Sequence, residues 1–212
     1  MKTRFFILGA IFAIMGFGAK AQVNIMYEQG FEENEPVTYS ATPSSGMVYT
    51  TDFYAGGARA IKLVQAKNND VMFVTDTIDF RNNLTLRYIS LEFDHICNVD
   101  ANIVSGGTDY QIGLIEVKLA DESDARYRRL TGSANYNTDR DEYSVEFRST
   151  GAFNRQSYSD WPANPTNANW KSERFDIDDM LNSSVPAENR RLIFRFVLKK
   201  RTMTGNVTGS GW

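Results

Sequence analysis

Four aromatic side chains, Phe153, Tyr158, Trp161 and Trp170, crowd into or beside the stretch from Ser149 to Lys171, which is otherwise rich in Asn, Ser and Pro. An exposed ring packs on the apolar face of a pyranose while neighbouring Asn, Asp and Arg side chains take its hydroxyls. The four residues are therefore a candidate ligand-binding set. The competing reading is that the rings pin the stretch to the body of the protein, because a turn-rich loop needs apolar anchors to be ordered. A second grouping, Asp121, Glu122 and Asp124, falls in a turn expected after a strand, and Asn98, Asp100 and Asn102 fall in another. Hard oxygen ligands in loops suit calcium, so Asp121, Glu122 and Asp124 are candidate calcium ligands. Asp and Asn also favour turns for their own backbone hydrogen bonding, and neither cluster has EF-hand spacing.

His95 is the only histidine and Cys97 the only cysteine. A Ser-His-Asp nucleophile would have to use His95, yet His95 shares a strand face with Ile89, Leu91 and Phe93, and no Gly-x-Ser-x-Gly elbow is present. His95 and Cys97 stand two apart on that face and could supply two metal ligands, but a closed zinc site wants four. A single cysteine also excludes an internal disulfide. The run Glu92-Phe93-Asp94-His95-Ile96-Cys97 resembles the Glu-x-Asp-x-x-Glu strand of laminarinase-type glycosidases. Retaining chemistry there needs two carboxyl groups about 5 Å apart. Cys97 stands where the second glutamate belongs, so Glu92 and Asp94 are expected on a solvated or loop-covered face. No catalytic set is complete, and the chain is expected not to be an enzyme and to need no cofactor, calcium being the one candidate.

The elements that must position these residues are strands. Period-two alternation recurs, and sustained helical periodicity does not. Ala60–Gln65 and Val71–Ile78 read as paired strands joined by a polar turn at Asn68-Asn69-Asp70. Thr85–Cys97 is the longest candidate, with Ile89, Leu91, Phe93, His95 and Cys97 on one face, and is expected to cross the middle of a sheet. Tyr110–Ala120 continues the pattern, interrupted at Gly113, and Leu192–Lys199 is the last clear strand. Asp176–Leu181 could make one helical turn. One apolar face and one partly polar face imply an all-β sandwich of two antiparallel sheets.

The N-terminus places this domain outside the cytoplasm. Lys2 and Arg4 precede an apolar run from Phe5 to Phe17, followed by Ala19-Lys20-Ala21. A charged start, a short apolar stretch and an Ala-x-Ala end form a cleavable signal peptide, and a spanning helix would need roughly 20 apolar residues. Residues 1–21 are thus read as signal, and 22–212 as a single domain exported through the periplasm. No cysteine follows the cleavage point to take a lipid. Removing Lys2, Arg4 and Lys20 from 23 basic residues leaves 20 against 26 acidic ones, a net charge of −6. That balance argues against a nucleic-acid or anionic-membrane binder. Lys199, Lys200 and Arg201 form a local exception at a strand end.

Several segments, read in order, resemble a known kind of module. They are Tyr27-Glu28-Gln29-Gly30-Phe31-Glu32, Gly56-Gly57-Ala58-Arg59-Ala60-Ile61-Lys62-Leu63, Phe93-Asp94-His95-Ile96-Cys97, Ser157-Tyr158-Ser159-Asp160-Trp161, Trp170-Lys171-Ser172-Glu173-Arg174-Phe175-Asp176-Ile177 and Gly211-Trp212. The likeness is to jelly-roll modules near the N-terminus of secreted and surface proteins of Bacteroidota, many of them type IX secretion cargo. It implies a lectin-like or galactose-binding-like jelly roll, attached to adhesins, peptidases or polysaccharide-degrading proteins. It implies no catalytic set. In such modules the pattern after Gly-Trp continues into one more strand, so a sandwich lacking its last strand is expected, with Trp212 opening a strand beside Leu192–Leu198. Asp76-Thr77-Ile78 is similar to the O-glycosylation acceptor pattern of that group.

The function expected from all this is a non-catalytic recognition or adhesion module on the outer cell surface or in the medium, contacting glycan or a surface protein. The alternatives are an accessory domain of a secreted hydrolase and a structural spacer.

Overall fold

A computed structural model describes residues 25–35, 38–64, 70–82, 89–99, 111–130, 152–182, 184–200 and 212. The signal segment, Asn68-Asn69, Asp100, Asn102, Ser105-Gly106-Gly107 and Gly205–Gly211 lie outside the described residues. In chain order the strands are β1 (Tyr39–Thr42), β2 (Met47–Thr50), β3 (Ala60–Leu63), β4 (Val71–Thr75), β5 (Ile78–Asp79), β6 (Ser90–His95), β7 (Gln111–Leu119), β8 (Arg128–Arg129), β9 (Ala152–Phe153), β10 (Lys171–Asp176) and β11 (Arg191–Lys200). The chain is all-β, every ladder is antiparallel, and the helical turns among the described residues are short 3-10 segments. Among the described residues no helix is long and apolar enough to cross a membrane.

The principal sheet runs β1-β4-β11-β7-β8, with β5 also on β11 and β9 also on β7. Its centre is β11, because the stretch from Leu192 to Leu198 is apolar at every position but Arg195 and can be covered on both faces. Leu192, Phe194 and Leu198 point into the main core beside the half-buried Phe196, while Val197 joins Ile112, Leu114 and Ala152 on the opposite face. Further along that opposite face the character turns polar. Glu116 pairs across the ladder with Arg195, whose guanidinium lies 3.8 Å from the Tyr127 ring centre. The buried Lys118 is satisfied by the Glu122 carbonyl at 2.8 Å and the Asp124 carboxylate at 3.0 Å.

The second layer is the β6–β10 pair. Leu91, Phe93 and Phe175 meet the principal sheet through ring contacts such as Phe93 with Phe196 at 5.2 Å and Phe153 with Phe175 at 6.3 Å. The third unit is the β2–β3 hairpin. Its ladder is extended by Val64 donating to the Gly46 carbonyl at 2.7 Å.

The strand faces expected from alternation hold in β6: Ile89, Leu91 and Phe93 pack against the core, His95 and Cys97 are buried, and Glu92 and Asp94 are exposed. The pairings differ from the sequence reading. The strand around β6 does not cross the middle of a sheet but pairs with β10 alone among the described strands. β3 and β4 do not pair with each other; β3 pairs with β2, and β4 lies between β1 and β11. Alternation specifies which side of a strand is buried but carries no information about which strand lies alongside. β7 also runs unbroken through Gly113. A Cβ there would lie 2.8 Å from the Trp212 ring, so the glycine marks a close approach rather than an interruption. The helical turn expected near Asp176 is present as a 3-10 segment, Asp178–Leu181.

Candidate functional site

Three of the four candidate binding aromatics face inward. Phe153, Tyr158 and Trp161 are 0%, 1% and 6% exposed, so none offers a face to a sugar. The segment from 152 to 170 adopts local structure that drives them down. Phe153 sits in β9 against Gly113 of β7, the Arg155–Ser157 turn follows, and a Thr166 capping box starts the Asn167–Asn169 turn. Trp161 donates its indole N–H to the Asn169 carbonyl at 2.7 Å, tying the middle of the stretch to its end. Trp170 remains half-buried, with its indole nitrogen 3.5 Å from Asn167 Oδ1.

Around those rings lies a buried polar relay. Trp212 donates its indole N–H to His95 Nδ1 at 2.7 Å, and because indole is only a donor, that nitrogen carries the lone pair. His95 Nε2 then bears the proton and points at Glu173 Oε1, 3.3 Å away, which also accepts from the Tyr158 hydroxyl at 2.6 Å. His95 and Glu173 are 5% and 2% exposed. The relay is enclosed by Phe93, Phe153 and Trp161, whose rings lie 5.3, 4.6 and 5.2 Å from the imidazole. Its geometry suits a hydrogen-bonded core histidine, with the polar atoms directed at one another.

Trp212 does not open a strand beside β11, whose two edges are occupied by β4 with β5 and by β7. Instead its backbone exchanges two hydrogen bonds with Leu63 of β3, and its ring stacks on Phe153 at 5.9 Å.

The acidic candidates are dispersed among different bases. Asp121 pairs with Arg191, Glu122 with Arg128 at 2.8 Å, and Asp124 with Lys118 at 3.0 Å. Glu122 also accepts from the Leu119 amide at 3.1 Å, which is turn chemistry. Asp121, Glu122 and Asp124 thus do not converge on one point, and no group of three potential ligands among the described residues could hold a metal ion. Glu92 and Asp94 lie on the exposed face of β6, against Arg174 and Ser172 of β10. Cys97 is a buried thiol.

The exposed aromatics are elsewhere. Four large apolar side chains are exposed among the described residues, and three of them, Val48, Tyr49 and Tyr54, belong to the β2–β3 hairpin and its 51–59 loop. The hairpin is built from the core outward. Phe31 adopts a left-handed backbone, φ 63°, a conformation that costs a bulky residue about 1–2 kcal/mol. Its ring packs edge-on against Tyr39 and Phe73, at 5.7 and 5.6 Å. The hydroxyls of the buried Tyr39 and the exposed Tyr49 are hydrogen-bonded to each other, which holds Tyr49 in place. Arg59 donates from Nε to the Phe31 carbonyl and lays its guanidinium 4.3 Å from the Tyr49 ring centre.

The loop is held at two further points. The Ala58 amide donates to Glu32 Oε1 at 2.9 Å, and Gly57, at φ 82°, leaves no room for a Cβ beside that carboxylate. The Tyr54 amide donates to Asn167 Oδ1 at 2.9 Å, the same oxygen that lies beside the Trp170 indole. The hairpin and its loop thus bring together Tyr49 with Arg59, and Tyr54 with Asn167 and Trp170, and of these residues only Trp170 belongs to the set proposed from aromatic crowding. A signal existed for one of the others: Val48 and Tyr49 are adjacent in a strand, so one of them must face away from any core.

No family model, curated protein or solved structure matches the chain. The surface must therefore be read from its own chemistry.

Proposed function

We propose that this chain is a non-catalytic extracellular recognition or adhesion module that holds glycan on the β2–β3 hairpin. The observation that carries the reading is the pair of exposed tyrosines, Tyr49 and Tyr54, on a single hairpin and its loop, the latter contacting Asn167 beside Trp170. Exposed rings with an amide and a guanidinium nearby suit a pyranose, whose two faces are apolar and whose rim is hydroxylated. Anchoring from beneath, through Tyr39, Phe31 and Glu32, supports the same reading, since a pre-ordered platform loses little entropy on binding. Export by the N-terminal signal and the likeness to jelly-roll surface modules agree with a partner outside the cytoplasm. The internal His95–Glu173 relay is enclosed and takes no part.

The test is a glycan array with the exported protein, followed by titration of the best ligand against Tyr54→Ala. Loss of about 1–3 kcal/mol of binding with an unchanged melting curve is expected. No bound glycan on the array, or binding indifferent to both Tyr49→Ala and Tyr54→Ala, would overturn the proposal.

A further inference from the structure

Arg59 differs from most arginines on this surface in what it touches. Arg81, Arg128, Arg174, Arg191 and Arg195 each lie against a carboxylate. Arg59 has instead a carbonyl on Nε and a tyrosine ring against its plane. Among the described residues no carboxylate is within ion-pair distance of it, and its two terminal amino groups have no hydrogen-bond partner there. Glu32, the acid adjoining Phe31, is directed at the Ala58 amide.

A guanidinium fixed through Nε and one face, with both Nη groups left over, keeps its fork for a planar partner. A carboxylate accepts two parallel N–H bonds from such a fork, a match that a neutral hydroxyl cannot reproduce. The fork stands on the same hairpin as Tyr49 and Tyr54, whose rings suit a sugar face.

We infer that the hairpin selects acidic glycans, binding a uronic-acid residue with its carboxylate on the Arg59 fork and its ring against the neighbouring tyrosines. This rests on the glycan-binding reading above and specifies its ligand class. The tyrosines favour a uronate over an acidic peptide, since a peptide side-chain carboxylate has no pyranose face to lay on them. The protein as a whole is acidic, so selectivity arises from this local contact and not from long-range attraction.

The experiment measures binding of the exported protein to oligogalacturonate, to the same oligomer with its carboxyls methyl-esterified, to a neutral galactose oligomer and to an acidic glutamate peptide. The acid form is expected to bind about tenfold more tightly than the ester, as befits charge-assisted hydrogen bonds. Arg59→Gln should bring acid and ester to comparable affinities, erasing that preference, and Arg59→Lys should restore only part of it, because an ammonium lacks the fork. Equal binding of acid and ester by the unaltered protein would overturn the acidic selectivity and leave the glycan reading standing. Binding of no sugar oligomer would overturn both, and so would tight binding of the glutamate peptide alone. If Arg59→Gln lowers the melting temperature, the acid-against-ester comparison on the unaltered protein still decides.

Discussion

The stretch from Ala152 to Phe175 and the β2–β3 hairpin are both rich in rings and polar residues, and they use them in opposite ways. In the first, Phe153, Tyr158 and Trp161 are turned into the core, where they enclose His95 and Glu173. In the second, Tyr49 and Tyr54 are turned out, and the buried Tyr39 beneath holds Tyr49 by its hydroxyl. An aromatic ring in a polar segment is thus not evidence of a binding face. What decides is whether the segment closes back on a sheet that still has apolar area to cover. The 152–175 stretch begins and ends in strands on the two opposed layers, so its rings fall between them. The hairpin lies outside those layers, and half of its side chains have nothing to cover.

The comparison breaks most readily at Phe153. Phe153→Ala removes a fully buried ring that contacts Phe93, His95, Phe175 and Trp212, and should cost about 3–5 kcal/mol, measured by denaturant unfolding. A stable Phe153→Ala protein would mean that this region does not form the core.

Glu173→Leu comes next. It leaves the Tyr158 hydroxyl and His95 Nε2–H without the oxygen they share, and a loss of about 1–3 kcal/mol is expected for each stranded donor. Glu173→Gln keeps an acceptor at that place and should recover most of the stability. Equal losses in the two variants would show that the carboxylate's charge, and not its acceptor oxygen, matters.

On the hairpin the pattern should invert. Tyr54→Ala changes an exposed side chain and should alter stability by no more than about 0.5 kcal/mol while weakening ligand binding, whereas Tyr49→Ala also takes away the partner of the buried Tyr39 hydroxyl and should cost about 1 kcal/mol. If Tyr49→Ala unfolds the protein, the hydroxyl contact with Tyr39 is a structural staple and the contrast between the regions fails.

The smallest effect is expected at a surface site belonging to neither region. Asp79 is exposed, and hydrogen bonds from the Arg81 guanidinium and then from the Arg81 amide lower its carboxyl to about 2. A depressed carboxyl contributes stability that is present above the ordinary carboxylate range and is lost as the pH falls through about 2. The prediction is that NMR titration shows Asp79 ionised at pH 3, and that Asp79→Asn flattens the acid limb of stability only slightly, since the pair is solvent-screened. Ordinary titration of Asp79 would remove the Arg81 contact.

Much of the architecture was legible in the chain. The alternation of β6, β7 and β11 announced antiparallel strands, and the faces of Leu91, Phe93 and His95 follow from period two alone, whereas the second buried face of β7 and β11 at Ile112, Leu114 and Val197 did not. The candidate site was legible only in part. Trp170 belongs to the surface, but Tyr54 meets Asn167 through a contact spanning 113 residues of sequence, and Arg59 meets Tyr49 within the folded hairpin. Asp121, Glu122 and Asp124 looked convergent because they are neighbours in sequence. Their bases, Arg191, Arg128 and Lys118, come from different strands and draw them apart.

By itself, the order of residues determined that this is an all-β chain, which side of each long strand is apolar, and that a lone histidine on an apolar face would be interior. Those properties are local, set by the two-residue repeat of an extended backbone and the transfer of apolar side chains from water. Tertiary structure alone decided that β3 lies with β2 and not β4, that Gly113 makes room for Trp212, and that the rings of 152–175 face in while those of the hairpin face out. Each of these depends on which surfaces meet across large sequence separations, and alternation is the same whichever strand lies alongside.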